Sequence, residues 1–258
     1  MTIRKQIPNI FTLLNLVFGC MAIVYIMQTD SFNITELDEN TNSISMPEKI
    51  IFGSICIFIA AIIDFLDGFL ARALKASSPL GAQLDSLSDV VSFGVAPSLI
   101  LYQLLRMCYL TTENSIEISI IVLAPAFLFA CAGAYRLGRF NLSLSSSNFS
   151  GVPIPAAGLL VASLPLILHY NYFNGAINTI LFNKWVLYAV ILIMSYLMIS
   201  RLPLMGMKFT DYKLKSNMPK VILLSISLLS IIFLKWAAAP VIFIAYIMIS
   251  LTYKNKLG

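Results

Sequence analysis

Long apolar runs separated by short polar breaks dominate this chain. Runs long enough to cross about 30 Å of hydrocarbon fall at roughly residues 9–28, 48–72, 86–109, 116–137, 154–171, 182–200, 219–234 and 236–253. They predict an all-α, polytopic transmembrane bundle of about eight helices, six forming a core and the last two a C-terminal hairpin. Those last two runs are short and turn at Lys235 and Trp236, and Pro240 blurs the final boundary. The first run follows Arg4 and Lys5 and has no small-residue cleavage site after a short apolar core. It is therefore expected to stay as a helix rather than to be removed as a signal.

Composition agrees with the pattern: 59% of residues are hydrophobic and 11% charged, with a mean hydropathy of +0.88, far outside soluble globular proteins. The net charge of +5 does not point to nucleic acid, because the basic residues sit in short clusters between apolar runs rather than along one face. Orientation explains them better. With the N-terminus inside, thirteen of the seventeen basic residues lie at cytoplasmic ends: Arg4, Lys5, Arg72, Lys75, Arg136, Arg139, Arg201, Lys208, Lys213, Lys215, Lys220, Lys254 and Lys256. Lys49, Arg106, Lys184 and Lys235 fall outside, and the acidic loop Gln28 to Glu48 becomes external. Cys20, Cys56, Cys108 and Cys131 lie in or near separate apolar runs without CxxC spacing, so they read as small packing side chains rather than a disulfide or zinc set. The cluster Lys208 to Lys220 reads as a loop attracted to lipid headgroups.

Against this background one stretch is anomalous. Asp64 to Asp89 places four carboxylates, one arginine and two glycines between apolar segments. A single Asp at the centre of a membrane helix costs about 2.5 to 3.5 kcal/mol on insertion scales, so four together need partners. At 100° per residue Asp64, Asp67, Gly68 and Ala71 share one helix face, with Arg72 at its edge. Gly81, Asp85, Ser88 and Asp89 share a face of the next helix. The short link Lys75 to Leu80 makes the two helices antiparallel neighbours, and Gly68, Ala71 and Gly81 either permit close approach or leave room for a ligand. Hard oxygen ligands without nearby His or Cys select magnesium, manganese or calcium. Two such ions side by side suit phosphoryl displacement on a diphosphate.

The frame Asp64-x2-Asp67-Gly68-x2-Ala71-Arg72-x8-Gly81-x3-Asp85-x3-Asp89 resembles the signature of the CDP-alcohol phosphotransferase family at all eight fixed positions. Flanking segments are similar to its bacterial phosphatidylserine synthase branch: Pro8 to Asn15, Gly81 to Ser86, Val90 to Pro97, Tyr135 to Asn141 and Gly151 to Ala156. The resemblance covers most of the first 160 residues and implies a cell-membrane enzyme, a homodimer, that transfers a phosphatidyl group from CDP-diacylglycerol to serine at the cytosolic face. It implies that Asp64, Asp67, Asp85 and Asp89 ligate a pair of Mg2+ or Mn2+ ions, with Asp89 also the base for the serine hydroxyl. Gly68 would give cytidine access to the backbone, and Arg72 with Ser78 and Gly81 would contact nucleotide or phosphate. Two domains follow: residues 1–201 as the catalytic transmembrane domain, and 202–258 as a basic cytoplasmic loop with the terminal hairpin, which carries no legible motif.

Other residues are assigned from their own chemistry. His169, the only histidine, falls at the external end of the fifth run, so a carboxylate must act as base. Asn9, Thr12 and Asn15 recur on one helix face; Asn9 and Thr12 are candidates for nucleotide contact, and interhelical hydrogen bonding is the alternative. Arg136, Arg139 and Asn141 are candidates to hold the serine carboxylate, since arginine engages it through two parallel bonds. Topology anchoring also accounts for the two arginines. With no soluble lipid-binding domain visible, acyl chains are expected to enter sideways between helices. Two rivals stand: the same chemistry with glycerol 3-phosphate or inositol phosphate as acceptor, and an ion-coupled transporter with buried carboxylates. The second lacks an inverted repeat to support it, and a phospholipase D-like synthase is excluded because its two HxK motifs need two histidines.

Overall fold

The structure, a computed structural model, describes residues 6–29, 46–74, 76, 78–113, 118–142, 151–170, 176–202, 204–205 and 217–253. Arg4, Lys5, Lys75, Lys208, Lys213, Lys215, Lys254, Lys256 and most of the acidic loop before Glu48 lie outside the described residues. Helices account for the rest: α1 (Ile7–Met27), α2 (Glu48–Ala73), α3 (Pro79–Asp89), α4 (Ala96–Glu113), α5 (Ile120–Leu123), α6 (Leu128–Leu142), α7 (Ile154–His169), α8 (Ala176–Leu181), α9 (Lys184–Ile199), α10 (Met218–Leu234) and α11 (Ala238–Thr252). A π-helical segment, Val90–Val95, joins α3 to α4, and 3-10 turns at Ala124–Phe127 and Lys235–Ala237 join α5 to α6 and α10 to α11. The apolar runs Ile7–Met27, Glu48–Ala73, Pro79–Leu110 and Ile120–Leu142 are each long enough to cross a membrane, α7 and α9 are shorter, and Met218–Thr252 forms the terminal pair. This is a multi-pass helical membrane protein.

The eight expected runs are all helical, with three differences. The third begins at Pro79 rather than near residue 86, because Ser78 caps it and proline is favoured in a first helical turn. Pro125 interrupts the fourth with a 3-10 turn, and α6 continues to Leu142, so Arg136, Arg139 and Asn141 are all helical. The short α8 was not foreseen. The terminal pair turns at the expected Lys235 and Trp236, where Lys235 is the one described non-glycine residue with positive φ (48°), and Pro240 sits harmlessly in the first turn of α11.

Packing follows the small residues. α1 buries Pro8, Thr12, Asn15, Gly19, Ala22 and Ile26, a single stripe at alternating three- and four-residue steps. It lies along α2, where a side chain at Gly53 would meet Ile26 and the Ala22 carbonyl. One expectation changes here: α1, not α3, is the close packing partner of α2, and α1 packs on α3 as well. α4 and α7 fill the middle with Ile100, Leu101, Leu104, Val161 and Ala162, around the fully buried Phe93 and Phe129.

Gly151 fastens the start of α7 to the end of α9. Its N–H donates to the Leu202 carbonyl at 3.0 Å and that of Val152 to the Leu197 carbonyl at 3.1 Å. Its φ is +75°, and an added Cβ would lie 2.6 Å from the Met198 carbonyl oxygen and 2.7 Å from that of Ser200. Both objections are to backbone, which cannot step aside. Gly151→Ala is therefore expected to cost about 1 to 3 kcal/mol, read as a lowered unfolding midpoint of the detergent-solubilised protein; an unchanged midpoint would show that the turn relaxes.

Candidate active site

α2 ends and α3 begins at the same end of the bundle, which brings the two halves of the motif together. The Ser78 side chain accepts from the Gly81 N–H at 3.0 Å and so starts α3, while Pro79 fits the first turn. Oxygens of Asp64, Asp67 and Asp85 then lie within 4.8 Å of one another. Asp89, one turn beyond Asp85, lies beside Asp64, and its Oδ1 is buried with no hydrogen-bond partner among the described residues. Thr12 on α1 donates from Oγ1 to Oδ2 of the buried Asp67 at 2.8 Å, with the Pro8 carbonyl also in reach at 3.1 Å. All four aspartates of the motif thus meet across one gap.

Beside them is a cavity of about 170 Å³ whose walls include Asn9, Thr12, Asp67, Gly68, Ser78, Gly81 and Asp85. The small residues leave room here rather than permit contact between α2 and α3. Only the Arg72 guanidinium comes near the space a side chain at Gly68 would take, its Nη1 3.6 Å away. Arg72 itself is exposed at the last turn of α2. At Gly81 an added Cβ would lie 2.9 Å from Asn9 Oδ1 and 3.1 Å from Ser78 Oγ. Asn9 Nδ2 donates to Gln6 Oε1 at 3.1 Å, which leaves its carbonyl oxygen turned toward α3.

On the other side of the carboxylates, α6 supplies the three residues expected to hold an acceptor, and they part company. Arg136 is buried, its Nε has no hydrogen-bond partner, and it lies within electrostatic reach of Asp89 and of Tyr246 on α11. Asn141 Nδ2 donates to Ser86 Oγ at 3.0 Å, next to Asp85 in the chain. Arg139 points elsewhere: Nη1 donates to the Ile199 carbonyl at 2.9 Å and Nη2 to that of Ser200 at 3.5 Å. The last carbonyls of a helix lack intrahelical donors, and a guanidinium satisfies two at once.

A model of the CDP-alcohol phosphatidyltransferase family matches residues 5–197. The chain belongs to that family. Among its relatives, the CDP-diacylglycerol–serine O-phosphatidyltransferase of Helicobacter pylori (strain ATCC 700392 / 26695) is 31% identical over 246 residues, 94% of this chain and 87% of the relative. The enzyme of the same name from Methanocaldococcus jannaschii is 35% identical over 176 residues, covering 67% and 68%. An archaetidylserine synthase from Methanothermobacter thermautotrophicus is 34% identical over 125 residues, covering 47% and 49%. As a CDP-alcohol phosphatidyltransferase this chain is a transferase, and the ion-coupled transporter reading falls away.

The residues present fit a divalent metal. The donors are all carboxylate oxygens, the hard ligands such cations prefer, and the unpartnered Oδ1 of Asp89 is an acceptor that nothing among the described residues satisfies. Asp64, Asp67 and Asp85 can hold an ion between them. Two contributors to this family member's site, Ser86 and Tyr246, escaped the sequence reading, and Asn15, read with Asn9 and Thr12 as one face, takes a buried place. Ser86 was read only as part of a similar segment, and its bond to Asn141 crosses 55 residues. Asn15 is fully buried with neither side-chain atom bonded, below Thr12 on the same stripe. Tyr246 lies in the hairpin, where a tyrosine among apolar residues carries no local signal.

Proposed function

We propose that this membrane protein is a CDP-diacylglycerol–serine O-phosphatidyltransferase, with residues 1–201 as its catalytic domain. The observation that carries the reading is the convergence of Asp64, Asp67 and Asp85 within 4.8 Å beside a cavity walled by Asn9, Thr12, Gly68 and Ser78. The long match to serine-specific relatives favours serine over glycerol 3-phosphate or inositol phosphate. The active site faces the cytosol, where serine and CMP are soluble, and the protein works in the cell membrane as a homodimer.

Asp64, Asp67, Asp85 and Asp89 would hold two Mg2+ or Mn2+ ions, which when bound neutralise charge on the diphosphate and its leaving group. The remaining work belongs to the chain. Gly68 and Gly81 keep the cavity open to the cytidine, and Asn9, Thr12 and Ser78 offer it polar edges. Arg72 reaches over Gly68 toward the phosphates. Arg136 and Asn141 orient serine, the guanidinium pairing with its carboxylate. The serine hydroxyl gives its proton to a carboxylate oxygen of Asp89 and bonds to the β-phosphorus, and the bond from that phosphorus to the CMP oxygen breaks. CMP leaves and phosphatidylserine stays in the bilayer. Positioning and fixed charge supply the acceleration.

Purified protein given CDP-diacylglycerol, Mg2+ or Mn2+ and labelled serine is expected to release CMP and label the lipid; glycerol 3-phosphate and inositol phosphate should label it at least about a hundredfold more slowly, the loss expected when a site's buried polar groups go unmatched. EDTA is expected to stop the reaction and added Mg2+ or Mn2+ to restore it. Faster labelling with either phosphorylated alcohol would move the acceptor assignment, and indifference to EDTA would remove the metal.

A further inference from the structure

α10 and α11 lie beyond the residues matched by the family model, yet they wall a second cavity, larger than the one beside the aspartates. It measures about 600 Å³ and lies between α7, α10, α11 and Phe58 of α2, a volume suited to a sizeable ligand. Its walls are apolar except for Lys220, Ser227 and Tyr246. Ser227 returns its hydroxyl to the Leu223 carbonyl at 2.8 Å, so it presents no donor to an occupant. Lys220 and Tyr246 stand toward one end. Lys220 is in the first turn of α10, fifteen residues or about 22 Å of helix rise from Lys235 at the turn. At the other end Ala239 lines the cavity just past that turn, and Phe58 rests against Trp236 with ring centroids 5.4 Å apart. The chamber is therefore polar toward one end and oily toward the other, where the Phe58 and Trp236 rings lie together.

That polarity matches an amphiphile with an anionic head. One residue relates the chamber to the reaction centre: Tyr246 lines it, and Arg136 lies within electrostatic reach of both Tyr246 and Asp89. Tyr246 is fixed there by donating to the Met205 carbonyl at 3.1 Å, while Ser250 one turn on accepts from the Met205 N–H at 3.2 Å.

We propose that the C-terminal hairpin, with α7 and Phe58, forms the chamber for one acyl chain of the CDP-diacylglycerol, and that Phe58 backed by Trp236 sets the length of chain admitted. This rests on the substrate reading above. Ile242, on the chamber wall toward the oily end, is the position from which to shorten it. Wild type and Ile242→Trp are compared for CMP release from CDP-diacylglycerols with hexanoyl and with palmitoyl chains. The variant is expected to lose at least about tenfold in kcat/KM on the palmitoyl substrate and to stay within about threefold on the hexanoyl one, a discrimination in the range hydrophobic pockets achieve. An unchanged preference overturns the chamber. Should the variant lose both activities, the wild type decides through a CDP-diacylglycerol carrying a diazirine at its acyl terminus. Adducts on the peptides of Phe58, Leu224 or Ile242 support the assignment, and adducts confined to the outward face of α1 overturn it. A wild type that releases no CMP from either substrate instead sinks the functional reading.

Discussion

Asp89→Asn is expected to lower turnover by about 10² to 10⁴-fold, the range a positioned general base contributes, while leaving CDP-diacylglycerol binding within a few fold. The substitution keeps the shape and removes the basic oxygen. Asp89 is the member of the quartet with the strongest geometric case for this role: it is 7% exposed, lies beside Asp64, and keeps one oxygen unpartnered among the described residues. Asp64, Asp67 and Asp85 are the three that converge on a shared point, so Asp67→Asn is expected instead to weaken metal-dependent nucleotide binding. The pair of variants separates the roles. Near wild-type turnover in Asp89→Asn, measured as CMP released per enzyme at saturating serine, would transfer the base to another group.

Arg136→Lys is expected to raise the KM for serine by about 10 to 100-fold with a smaller change in that for CDP-diacylglycerol. An ammonium keeps the charge but loses the planar pair of donors that matches a carboxylate, and a hydrogen bond to a charged group is worth about 1.5 to 3 kcal/mol. Arg136 is buried beside Asp89 and has a donor without a partner, as a residue awaiting a ligand would. Arg139→Lys supplies the contrast. Its guanidinium is engaged with the Ile199 and Ser200 carbonyls, so a fall in stability with little change in serine KM is expected. Equal KM effects at the two positions would return Arg139 to the site.

The two arginines also mark how far the sequence could be read. Both sit at the polar end of one apolar run, three residues apart, and both suit a carboxylate; only the tertiary position of α9 tells them apart. The aspartate frame was legible because it obeys helical arithmetic within two short segments. Asp64 and Asp67 share a face for the same reason that Asp85 and Asp89 do, and a short link must bring those faces to one end. The face Asn9, Thr12, Asn15 was legible for the same reason, though the hydrogen bond from Thr12 to Asp67 spans 55 residues and no local pattern announces it. The apolar run alone puts the third span near residue 86, while the face Gly81, Asp85, Ser88 and Asp89 already asks for a helix from Gly81, and Ser78 with Pro79 starts it there. The hairpin was visible as two spans and a turn. Its lining was not, because an apolar residue facing a cavity and one facing lipid look alike in one dimension.

The π-helical segment Val90–Val95 follows directly after Asp89, as such wide turns often do at functional sites. Below it, α4 presents Ile100, Leu101, Leu104 and Leu105 to the interior; above it, α3 presents acids. Each residue of regular winding turns a helix by 100°, so a wide turn between the two halves gives each its own angular setting. The rod behaves like a dial with a slip ring: the lower half can be indexed to suit its neighbours without re-aiming the acids above. Removing one residue from that ring would couple the settings again and rotate the acid-bearing face away from α2, with every carboxylate still present in the chain.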